Sequence, residues 1–124
     1  MKKYKLDILN DSKLQYMFNC LNDTFFKGRI APGVRALFVP TRLLKRSKKN
    51  AVDARWLSDI REIHIDAVYA RSEPMSAILL LHEMAHAALD GTYIGQATDD
   101  PGHGMIYQAE LVRLFNAGAY DGLL

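Results

Sequence analysis

Apolar side chains recur along this chain at two periods, and the change from one to the other outlines its elements. From Asp11 to Lys27, Leu14, Met17, Phe18, Leu21 and Phe25 fall three and four positions apart, the spacing of one helix face. Asp11 or Ser12 can cap the start of that helix, and Gly28 ends it. Pro32-Gly33 marks a turn, after which Val34 to Val39 reads as a strand closed by Pro40. Ala54 to Leu57 and Ile60 to Ile65 read as two more strands. In the second, Arg61, Ile63 and Ile65 alternate with Ile60, Glu62 and His64, which assigns Ile63 and Ile65 to the core face.

Two further helices follow. One begins near Ser72-Glu73-Pro74, with Pro74 suited to the first helical position, and runs to about Leu89 before Gly91. Ala77 to Leu81, Ala85, Ala87 and Ala88 make it apolar almost all round, so it belongs inside the protein. The last helix runs from about Gly102 to Asn116, with Asp100-Pro101 leading in and Gly118 past its end. Thr92 to Pro101 between them is a turn-rich loop. The pattern mixes α and β, shows no repeat or linker, and at 124 residues predicts one domain spanning 1–124.

Composition narrows the class without deciding it. Apolar residues form 49% of the chain and charged residues 24%, a soluble globular balance. Polar Asp7, Asn10 and Asp11 follow the basic start, so no signal-peptide hydrophobic region is expected, and no apolar run is long enough to span a bilayer. A cytoplasmic location without a membrane partner is the expectation. The single cysteine, Cys20, excludes an internal disulfide and a Cys-rich zinc ribbon, and its apolar surroundings predict a small buried side chain.

Candidate chemistry concentrates in His82-Glu83-Met84-Ala85-His86, an H-E-x-x-H sequence inside the apolar helix. Residues four apart lie on the same helix face, about 6 Å apart along the axis, so both imidazoles can reach one metal ion. Glu83 points roughly 100° further round, where it can meet a water beside the metal rather than the metal itself. Three polar groups in a buried helix are costly without partners, and a zinc ion would satisfy both imidazoles at once. Zinc hydrolases that cut peptide bonds use this arrangement.

Such a site needs three protein ligands and an open position. His103 is the leading third candidate, with Gly104 after it permitting close backbone approach. Glu110 is a rival, and Asp99 and Asp100 are weaker ones. His103, Tyr107, Glu110, Leu111 and Leu114 share one face of the last helix, which can therefore dock on the central helix. Tyr93 or Tyr107 can serve as an oxyanion donor or simply pack. His64 reads as a surface or satisfied histidine, and Trp56 as a core or interface residue, with base stacking as its functional alternative.

The stretch Leu80-Leu81-His82-Glu83-Met84-Ala85-His86-Ala87, then Gly102-His103-Gly104 and an aromatic at Tyr107, resembles the SprT-like metalloprotease family. Leu21 to Ile30 is similar to that family's opening helix and following turn, and Ile60 to Ile65 to the strand before its zinc helix. The resemblance covers roughly Leu14 to Asn116. It implies an α+β fold with a zincin-like metalloprotease core: a small mixed or antiparallel sheet packed against an N-terminal helix, the H-E-x-x-H helix and a C-terminal helix. It further implies one Zn2+ per chain on His82, His86 and His103, with Glu83 as catalytic acid/base and a protein or peptide substrate. Family members include proteases that degrade proteins crosslinked to DNA, so the resemblance makes DNA a possible partner.

Five cations in eight positions, Arg42, Lys45, Arg46, Lys48 and Lys49, form the possible nucleic-acid-binding segment. They can neutralise phosphates with little sequence preference, although no aromatic interleaves them and a solvated loop or helix face is the favoured reading. Many relatives carry a cysteine-ligated ribbon or added DNA-binding segments, which one cysteine does not supply. Two other functions fit the motif: a zinc-bound interaction or regulatory module that does not cut, and an amidase acting on a cell-wall peptide. An intact Glu83 argues against the first, and the lack of a secretion signal against the second.

Overall fold

The computed structural model describes residues 9–30, 33–44, 52–90 and 104–123. Helix α1 (Asp11–Phe25) begins at Asn10, whose side chain accepts from the Lys13 backbone N–H at 2.8 Å. Asn10 therefore takes the cap expected of Asp11 or Ser12, because Asp11 is turned to a different task. Its carboxylate accepts from the Phe38 N–H of strand β1 (Arg35–Val39), and Gln15 one turn on brackets the same strand. Gln15 accepts from Ala36 N–H at 2.8 Å and donates to Val34 C=O at 3.2 Å. Side chains of α1 thus occupy the outward N–H groups of Ala36 and Phe38 on an edge that would otherwise invite pairing with another chain.

Helix α1 stops two residues earlier than its periodicity suggests. Lys27 and Gly28 both adopt left-handed backbone angles (φ 53° and 71°), and the Asn22 carbonyl accepts from the N–H groups of Phe26 and Gly28. Leu14 and Phe18 are buried on its inner face. Cys20 is exposed, contrary to expectation. Two residues beyond Phe18 it lies about 200° round the helix, on the opposite side.

Strands β2 (Ala54–Leu57) and β3 (Glu62–Asp66) form an antiparallel hairpin, and β1 joins β3 in parallel, giving a mixed sheet of order β1-β3-β2. The third strand begins two residues later than the alternation predicts. Ile60 is exposed, and Arg61 (φ 57°) takes a left-handed conformation that the turn needs and a strand does not allow. Ile63 and Ile65 are fully buried, as their alternation requires.

A 3-10 helix (Ala67–Arg71), started by Asp66, leads into α2 (Glu73–Leu89). Ser72 caps α2 by accepting from Met75 N–H at 3.2 Å, and Pro74 stands one place past the first helical position. Helix α2 packs on β2 and β3, α1 packs on β1, and α3 (Met105–Asn116) packs on α2. Leu14, Phe18, Phe26, Ile63, Ile65, Leu80, Leu81, Met84 and Leu114 share one core. Among the described residues no helix is long and apolar enough to cross a membrane. The loop expected over Thr92 to Pro101 lies outside the described residues; the last helix begins at Met105 behind an extended Gly104, three residues later than the expected start at Gly102.

Candidate metal centre

The rotation of α2 is set by its apolar residues. With Leu80, Leu81, Met84 and Ala85 driven into the core, His82 and His86 fall together on a half-buried rim. Their ring centroids lie 5.3 Å apart with the ring planes at 70°. An ion about 2.0–2.1 Å from one nitrogen of each ring, at a tetrahedral angle, separates the centroids by about 5 Å. The observed 5.3 Å separation is of that size.

Glu83, at the next position, is buried (6% exposed), and its Oε2 lies 4.0 Å from Nε2 of His82. Burial pushes its carboxyl up to about 7, partly offset by a hydrogen bond from the Trp56 backbone. That bond follows from strand register. Asp66 N–H donates to Asp53 C=O at 2.8 Å, and hydrogen-bonded pairs alternate along an antiparallel ladder. Trp56 opposite Ile63 is therefore a non-hydrogen-bonded position, whose N–H points off the free edge of the sheet. Glu83 takes it. The sequence carries no local signal for this bond, because it depends on how β2 pairs.

Tyr107, on the first turn of α3, closes the arrangement from the other side. Its ring stacks on His86 (centroids 4.1 Å, planes at 18°) and meets His82 edge-on at 5.4 Å. Its hydroxyl donates to the His82 carbonyl at 2.8 Å. Burial and the nearby Glu83 carboxylate push the phenol well above the ordinary tyrosine range, so it remains a donor. This bond aims the hydroxyl at the helix backbone, which weighs against an oxyanion role for Tyr107. Tyr93 lies outside the described residues.

The predicted third ligand, His103, also lies outside them, as do Asp99 and Asp100. Among the described residues no third histidine, cysteine or carboxylate joins His82 and His86 in a metal-binding group. The rival Glu110 is held elsewhere: Arg113 grips it with two hydrogen bonds at 3.0 and 2.7 Å, and Arg29 approaches to 3.7 Å. Arg113 also covers the Phe26 ring, which ties α3 to the end of α1.

The SprT-like family model matches residues 14–119. The chain belongs to the SprT-like family. None of the curated proteins and none of the solved structures matches it. The matched SprT-like stretch holds all three motif residues on α2 and His103 as well.

Other sequence candidates fall away from this SprT-like centre. His64 Nε2 is 2.8 Å from Glu62 Oε1, and the same carboxylate meets Arg35 at 3.3 Å, so His64 is a satisfied histidine of the sheet. Trp56 is half-buried; its indole N–H donates to Asp90 at 3.2 Å and Arg61 covers its ring. Of the basic segment, Arg42 is exposed on a 3-10 helix (Thr41–Leu43), and Lys45, Arg46, Lys48 and Lys49 lie outside the described residues.

Proposed function

We propose that this SprT-like chain is a zinc-dependent endopeptidase with a zincin-like core. The observation that carries this reading is the grouping on α2: two imidazoles at a separation that fits one metal, with a buried carboxylate at the adjoining position. His82 and His86 would hold the ion, with His103 as the third ligand. His103 directly precedes Gly104, the residue capping α3, and the first turn of that helix already touches both imidazoles. When bound, zinc supplies Lewis acidity toward a water and a scissile carbonyl.

The remaining chemistry falls to Glu83. Burial raises the proton affinity of its carboxyl, which suits it to taking a proton from the attacking water and returning it to the leaving amine. The Trp56 N–H holds one side of the carboxylate while burial keeps its basicity high. Neither task needs a second protein base.

Protein or peptide chains are the proposed substrates. DNA enters as a possible gate through Arg42, Lys45, Arg46, Lys48 and Lys49. The test is cleavage of an unstructured protein and of a cell-wall peptide by zinc-loaded enzyme, each with and without single-stranded DNA. Protein cleavage supports an endopeptidase, and dependence on DNA would promote the basic segment to a functional site. Cleavage of the wall peptide alone would replace it with an amidase. One bound zinc without any cleavage would favour a non-cutting interaction module.

A further inference from the structure

We propose, resting on the zinc-site reading above, that Tyr107 is a positioning residue that orients both histidines before a metal arrives. An imidazole on a helix rim turns through a broad, roughly two-fold torsion at its ring. A phenol ring stacked on His86 at 4.1 Å and nearly parallel to it restricts that rotation. The same ring meets His82 in a T-shaped contact at 5.4 Å. Its hydroxyl hydrogen bond to the His82 carbonyl pins α3 to the helical turn that carries both candidate ligands.

One buried side chain from a different helix therefore touches both imidazoles and the backbone between them. Tyr107 is 4% exposed, so water does not compete for these interactions. Metal-site histidines are ordinarily aimed by groups that do not touch the metal, and losing such a group costs about 10- to 100-fold in metal affinity. Here an aromatic stack does part of that work. A packing role alone would alter stability while leaving the metal affinity of the folded protein unchanged.

The experiment compares wild type, Tyr107→Phe and Tyr107→Leu by zinc competition with a chromophoric chelator and by the visible spectrum of the Co2+ form. Tyr107→Phe keeps the ring and should weaken zinc by about fivefold or less, the loss of one hydrogen bond. Tyr107→Leu should weaken it about 10- to 100-fold and shift the Co2+ bands, while metal-free far-UV circular dichroism shows a folded chain. A folded Tyr107→Leu with wild-type affinity and spectrum overturns the role. Should that variant fail to fold, NMR of metal-free wild type decides. His86 ring protons shifted by the phenol ring current, and unmoved in rotamer on adding zinc, support pre-orientation; rotamer-averaged signals overturn it. A wild type that binds no zinc removes the site itself, which separates that failure from failure of the positioning role.

Discussion

The carboxylate of Glu83 reaches within 4.0 Å of Nε2 of His82 although the two are neighbours in sequence, pointing different ways round one helix. The approach arises because β2 presents the Trp56 N–H to the same carboxylate, so sheet and helix hold it between them. The candidate ligand His82 and the candidate base Glu83 thus share a helix but contact different partners, Tyr107 and Trp56.

Ligand variants should separate the metal candidates. His82→Ala, His86→Ala and His103→Ala should each lose most of the zinc, measured as metal per folded chain. Glu110→Gln should keep it, because that carboxylate is paired with Arg113 and Arg29. Full occupancy in His103→Ala together with loss in an Asp99 or Asp100 variant would move the third ligand.

Glu83 gives the metal-free protein a pH-dependent stability. Its folded carboxyl sits at about 7 against an ordinary 4.5, so the folded chain retains a proton that the unfolded chain releases. The contribution is fully present below the unfolded value and is lost as pH rises through the folded one. Its size is on the order of 1–3 kcal/mol. Urea denaturation of metal-free protein should show greater stability at acidic than at alkaline pH, and Glu83→Gln should flatten the difference. An identical pH profile in the variant would refute the assignment.

Gln15 tests the joint between α1 and the sheet. Truncation to alanine strands the Ala36 N–H and Val34 C=O on an edge that the side chain now covers. The expected loss is about 1–2 kcal/mol in chemical denaturation, with zinc binding intact. A neutral substitution would mean that water replaces the amide without cost.

Should DNA bind, the basic segment sets its salt response. Replacing Lys48 and Lys49 with alanine should flatten the dependence of single-strand affinity on salt by about 0.7 for each phosphate that is no longer neutralised. An unchanged slope would return the segment to a solvated surface.

What is legible in the sequence follows periodicity. Alternation alone assigns Ile63 and Ile65 to the core, and the apolar circumference of α2 foretells its central place. The helical spacing of His82 and His86 translates directly into two imidazoles on one rim. Interactions set by distant pairing are not legible. Nothing local states that β1 lies parallel to β3, that Asp11 and Gln15 cover its edge, or that Trp56 N–H meets Glu83. Cys20 departs from expectation for a different reason: its apolar neighbours belong to a face that it does not share.

The most direct measurement is cleavage of an unstructured protein by wild type and Glu83→Gln, each first shown to carry one zinc per chain. A zinc peptidase that relies on Glu83 predicts cleavage by wild type and a loss of about 10²–10⁴-fold in the variant at equal zinc content. Equal cleavage by the two zinc-loaded proteins would contradict it.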